Sequence, residues 1–246
     1  MDSVARFPEI DATRGIAILM MIVFHTVFDL SFFSIAPINV ATGFWRWFAM
    51  ATASLFLLVV GISLVVSHAR YSRTQDGFAV TRKILRRGAG IFGIGLLVTL
   101  ATYLYLREGF IIFGILHLIG VSVMLSVLFF RFGKYNIITG LLVLAGGFFI
   151  RSVTGPIWLL PLGVMPASFS SVDYTPLFPW FGMVLVGMGI GEILYSGGIR
   201  RFKPRQVPDP VVRPLAFLGR YSLIIYLVHQ PVIILCLGAV TGTKVF

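Results

Sequence analysis

Asp11-Ala-Thr-Arg14-Gly-Ile-Ala-Ile-Leu-Met-Met-Ile-Val-Phe-His25-Thr-Val-Phe-Asp29 stands near the start of the chain. The run from Ile16 to Phe24 is apolar and carries no helix breaker, so it reads as the body of a helix in lipid. Eleven residues at ~100° each turn through ~1100°, or three turns and ~20°, so Arg14 and His25 lie on one stripe. Asp29 stays within ~40° of His25, and Asp11 sits below Arg14. A helix in a bilayer turns such groups toward protein or water, because hydrocarbon does not solvate them. That stripe is the expected seat of the chemistry.

The rest of the chain supports the membrane reading. Of 246 residues 58% are hydrophobic and only 12% are charged, and the mean hydropathy is +0.96. Seven apolar runs approach or exceed the ~20 residues that cross a bilayer: about 15–35, 44–67, 84–106, 110–130, 135–153, 176–196 and 216–240. The expectation is an all-α, polytopic bundle of about seven transmembrane helices. It forms a single integral-membrane domain over 1–246, with no soluble module.

Basic residues set the orientation. With the N-terminus in the cytoplasm, sixteen of the twenty Lys and Arg are cytoplasmic, and only Arg46, Arg107, Arg151 and Lys244 lie outside. The cytoplasmic set runs from Arg6 and Arg14 through Arg131 and Lys134 to Arg205 and Arg220. The net charge of +11 is therefore an orientation signal and does not point to nucleic acid. Cys236 is the single cysteine, which excludes an internal disulfide and a cysteine metal site. No two histidines share a helix at ligand spacing, so no metal is expected. The first apolar run has a His and an Asp inside it and no clear small-residue cleavage site, so it is read as retained. There is no internal repeat.

Depth selects the candidate residues. At ~1.5 Å per residue His25 lies ~15 Å above the inner interface, near the midplane. His229 is near the middle of the last run, His117 is somewhat outside the middle, and His68 is a loop residue. Asp29, at i+4 from His25, can accept from one ring nitrogen and fix the tautomer. Arg82 and Arg86, like Lys83 and Arg87, are i,i+4 pairs at the cytoplasmic mouth of the third run, suited to a polyphosphate donor. The glycines of Gly88-Ala-Gly90-Ile-Phe-Gly93 mimic a dinucleotide motif. No strand precedes them, so they are read as helix-packing residues. On the outer side Asp173 and Tyr174 precede the sixth run, where Asp173 can cap a helix or bind a substrate. The segment 152–175, with Pro156, Pro161 and Pro166, suits a re-entrant piece or lid. The inner stretch with Pro204, Pro208, Pro210 and Pro214 reads as a plain connector.

Several segments together resemble a known family. They are Asp11-Ala-Thr-Arg14-Gly-Ile-Ala-Ile-Leu, Ser54-Leu-Phe-Leu-Leu-Val-Val-Gly61-Ile-Ser63, Phe113-Gly-Ile-Leu-His117-Leu-Ile-Gly120-Val-Ser, Asp173-Tyr-Thr-Pro-Leu-Phe-Pro-Trp-Phe-Gly182 and Leu218-Gly-Arg220-Tyr-Ser-Leu-Ile-Ile-Tyr-Leu-Val-His229-Gln-Pro. The chain resembles, over essentially its full length, the prokaryotic membrane family grouped with the catalytic domain of heparan-α-glucosaminide N-acetyltransferase. That group lies in a wider superfamily of transmembrane acyltransferases. The acyltransferase-3 branch is marked by a basic residue, ten residues and a His, and Arg14 to His25 fits it. One departure stands out. The heparan enzyme's pattern has Asn where His25 stands and a His eleven residues later, at the position of Ala36.

The resemblance implies acyl transfer from acetyl-CoA to a hydroxyl or amine acceptor, a sugar or other small molecule, in the prokaryotic cytoplasmic membrane. In that scheme His25, or else His117, is the base and Asp29 orients it. Arg14, Arg82, Lys83, Arg86 and Arg87 hold the CoA phosphates. His229, Asp173 and Tyr174 serve the acceptor or the developing oxyanion. Membrane lipid is a partner, nucleic acid is not, and a homodimer is open. A proton-coupled transporter also uses buried His and Asp, but the chain shows no inverted repeat or matched pair of broken helices.

The orientation is testable. With Cys236 replaced by Ser, single cysteines at Gln75 and Met165 should label from opposite faces of the membrane. Labelling of both from outside would overturn the topology.

Overall fold

A computed structural model describes residues 7–150, 152–203 and 209–242. Arg6, Arg151, Pro204, Arg205, Pro208 and Lys244, which entered the topology and loop reading, lie outside the described residues. The described chain is helical: α1 (Pro8–Phe32), α2 (Gly43–Tyr71), α3 (Gly77–Leu106), α4 (Ile115–Phe129), α5 (Asn136–Ile150), α6 (Leu177–Leu194), α7 (Asp209–Arg220) and α8 (Ser222–Thr241). Short 3-10 turns lie after α4, before α6 and after α6. Among the described residues six helical stretches are long and apolar enough to cross a membrane. One of them, Ile115–Ile150, is α4 and α5 together. It is broken at Gly133, whose φ of 52° and ψ of −128° only glycine adopts without strain. Buried Asn136 pins this turn by donating from Nδ2 to the Phe129 and Gly133 carbonyls at 2.9 and 3.0 Å. The seven apolar runs thus correspond to α1–α6 and α8.

Helix ends follow local chemistry. Pro8 opens α1, where its missing N–H costs nothing, and Glu9 and Asp11 face the positive end of the helix. Asp76 caps α3 by accepting from the Ala79 N–H at 2.7 Å. The last apolar run, read as 216–240, is interrupted at Tyr221, and the inner stretch read as a connector forms α7 from Asp209, with Pro214 inside it.

The chain gathers into two compact units, one of residues 1–59 with 204–246 and one of 60–203. In the first, α1 packs along α7 and α8. Gly15 and Gly219 make the α1–α7 contact possible. A Cβ at Gly15 would sit 2.0 Å from the Leu215 carbonyl oxygen, and one at Gly219 would sit 1.8 Å from that of Asp11. In the second unit α5 lies antiparallel on α6, with Gly140 and Gly182 each against the other's carbonyl oxygen at 2.6 Å from a built Cβ. The C-terminal half of α2 meets α6 in the same way, through Gly61 against Val184 and Met188. Small residues let helix backbones approach closely, which is how helices gain packing energy where lipid offers no hydrophobic drive. In the glycine run on α3 only Gly88 does this, against Gly120 and Met124 of α4, while Gly90 and Gly93 face open space.

This packing predicts a contrast. Gly61→Val, where a Cβ would lie 2.1 Å from the Val184 oxygen, should cost about 1–3 kcal/mol or more through overpacking. Gly90→Val should leave the thermal midpoint of the detergent-solubilised protein nearly unchanged. Equal midpoints for the two variants would contradict the assignment.

Candidate functional site

The stripe on α1 meets α8. His25 Nδ1 lies 3.0 Å from Gln230 Oε1. Gln230 Nε2 donates to both Asp29 oxygens, at 2.6 and 2.8 Å. Asp29 is 1% exposed, inside the span of α1. His25 and Asp29 therefore share a partner and do not bond to each other. The direct His25–Asp29 bond expected from the sequence is replaced by an amide bridge. Residues at i and i+4 lie on one face, but a side chain from another helix reaches between them.

Donor and acceptor rules fix the protons. A carboxylate accepts only, so the amide NH2 of Gln230 faces Asp29 and Oε1 faces His25. An amide oxygen accepts only, so His25 carries its proton on Nδ1. In neutral His25 the Nε2 then keeps its lone pair. His229 obeys the same logic. Its Nδ1 donates to the Tyr226 carbonyl at 2.6 Å. Among the described residues its buried Nε2 has no hydrogen-bond partner, so a second lone pair is left open. The two rings are perpendicular, with centroids 4.9 Å apart, and Phe24 meets His25 edge-on at 5.8 Å.

At the start of α1, Arg14 Nη1 bonds Asp11 Oδ1 at 3.2 Å and the Gly219 carbonyl at 3.4 Å. Arg220 Nε stands 3.7 Å from Asp11 Oδ2. Asp11 thus joins two cations where α1 meets α7. The phosphate contact expected of Arg14 competes with this pairing.

The remaining candidates lie in the 60–203 unit. Buried His117 accepts at Nδ1 from the Gly114 N–H at 3.2 Å, and its Nε2 is 3.3 Å from Thr99 Oγ1. Both nitrogens are engaged at the start of α4. Asp173 serves the same helix end: Oδ2 accepts from the Ile115 N–H at 3.1 Å and Oδ1 from Thr175 Oγ1 at 2.8 Å. Tyr174 donates to the Leu160 carbonyl at 2.7 Å, and burial pushes its hydroxyl up to about 12, so it stays a neutral donor. Val172 N and Ser171 Oγ tie the segment 152–175 to the Gly109 and Phe110 carbonyls at 2.8 and 2.9 Å. Arg82, Lys83, Arg86 and Arg87 are exposed on the first turns of α3, with Lys83 Nζ 3.9 Å from the Tyr71 ring centre. Among the described residues no three His, Cys, Asp or Glu side chains gather as a metal site.

Gln230 escaped the sequence reading. Its signal was an amide inside an apolar span, beside His229, and polar side chains in spans hydrogen-bond between helices.

The fold and this cluster define a polytopic membrane protein with an acid–amide–imidazole chain inside its spans. The family model for heparan-alpha-glucosaminide N-acetyltransferase, catalytic, matches residues 6–231, across both units, and the chain belongs to that family. It is thereby a protein of a membrane acetyltransferase family. No curated protein and no solved structure matches it.

Asp173 gives a pH prediction. Burial is the largest influence and raises its carboxyl above the ordinary 3.8, against the opposing Thr175 and Ile115 bonds and nearby His117. The folded state therefore holds that proton more tightly than the unfolded state does. Its stabilisation is full below the unfolded value and is lost as pH rises through the folded value. Thermal midpoints of the wild type should fall from pH ~4 upward more steeply than those of Asp173→Asn. Parallel profiles would contradict this.

Proposed function

We propose that this chain moves an acetyl group from acetyl-CoA to an amine or hydroxyl acceptor, a sugar or other small molecule, with His25 Nε2 as the base. The observation that carries this reading is the open Nε2 lone pair on an imidazole whose other nitrogen is held through Gln230 by a buried carboxylate. Family membership supplies the reaction class.

The acceptor's N–H or O–H proton passes to His25 Nε2 as its heteroatom attacks the thioester carbonyl. The new C–N or C–O bond forms, the C–S bond breaks, and the CoA thiolate recovers the proton from the His25 imidazolium. Asp29 favours that transient cation. His229, whose Nε2 can only accept, suits holding the acceptor's own N–H or O–H and does not suit an oxyanion. The exposed Arg82, Lys83, Arg86 and Arg87 are the proposed contacts for the donor's phosphates. Arg14, already on Asp11 and Gly219, is a weaker candidate for that role. His117 and Asp173 are read as residues that build the start of α4. The proposed setting is the prokaryotic cytoplasmic membrane with the N-terminus inside, which follows from the basic asymmetry and the resemblance.

His25→Ala in proteoliposomes of known orientation, with acetyl-CoA inside and candidate acceptors outside, tests the reading. Transfer should fall by about 10²–10⁴-fold while CoA binding is retained. A wild-type rate would rule out His25 as the base.

A further inference from the structure

We propose that Gln230 is the positioning residue that decides which nitrogen of His25 is basic, and that Asp29 acts on His25 only through it. This inference rests on the reading of His25 as the base. Asp29 and His25 do not bond to each other, and both bond to the same amide. An amide has two different ends and does not ionise under working conditions. The carboxylate takes the NH2 end, so the oxygen end has to face His25.

Turning the amide over would break two short N–H···O bonds and set its oxygen against the carboxylate. It would also put an N–H donor against His25 Nδ1. The ring would then move its proton to Nε2, and the lone pair needed for catalysis would vanish. Asp29 therefore works as a lock on the amide. It also polarises it: charge drawn toward Oε1 strengthens the Nδ1–H···Oε1 bond, most of all once His25 is cationic. The arrangement joins residues 201 positions apart in sequence, so it exists only when α1 and α8 are packed.

The test uses the full chain in nanodiscs with ¹⁵N-labelled histidine, His25 being assigned by the signals lost in His25→Gln. At a pH where His25 is neutral, the wild type should show a protonated Nδ1 and a bare Nε2. Gln230→Leu and Asp29→Asn should each give a tautomer mixture. Asp29→Asn, nearly the same shape as the original, keeps the test alive if Gln230→Leu fails to fold, because an Asn can turn either end to Gln230. In transfer assays Gln230→Leu should lower kcat on the order of 100-fold, with KM for acetyl-CoA unchanged within about two-fold. The double variant should be no slower than Gln230→Leu alone, since Asp29 has no other route to the ring. A wild-type His25 protonated at Nε2, or losses that multiply in the double variant, would overturn the inference. A wild type with the stated tautomer, in which His25→Ala keeps the wild-type rate of transfer, supports the positioning role and overturns the base reading instead.

Discussion

A carboxylate inside a membrane span has to find its donors within the protein, and at Asp29 they come from one amide. Hydrogen bonds to charged groups contribute about 1.5–3 kcal/mol each, and a buried charge stripped of its partner costs several kcal/mol. The Gln230–Asp29 contact is therefore the constraint that fixes the middle of α8 against the C-terminal end of α1. The orientation of His25 follows from it. So does its tautomer, because the amide has only one end left to offer. The close approach at Gly15 and Gly219 sets the start of α1 against α7 in the same unit, and Asp11 ties Arg14 and Arg220 there.

Much of this was legible in the sequence. Hydrophobic run length found the spans, and helical periodicity put Arg14, His25 and Asp29 on one face. The Arg14–Asp11 pair is an i,i+3 contact that spacing alone suggests. Periodicity says which side chains share a face, but it does not say which bond to each other. The partner of Asp29 comes from a helix at the far end of the chain, and only packing reveals it. The break at Tyr221 was also hidden, because an apolar run continues through it and hydropathy does not register a change of helix.

His117 and Asp173 teach a different lesson. A His in a span and an Asp before one look like functional residues, and both bond to backbone N–H groups at the start of α4. Helix N-termini leave such groups without intrahelical partners, and in an apolar setting polar side chains have to satisfy them. Reading that role from sequence requires knowing to the residue where α4 begins, which is where hydropathy is least sharp. His229 and His25 differ from His117 in keeping an Nε2 lone pair beyond the bonds that position the ring.

The most direct test is an experimental structure of the chain with a non-hydrolysable acetyl-CoA analogue bound. The account predicts the thioester carbonyl carbon close enough to His25 Nε2 for one acceptor atom to touch both, a separation of roughly 4–5 Å given a near-attack distance of ~3–3.5 Å. An analogue seated with its acyl group beside His117, and away from His25, would contradict it.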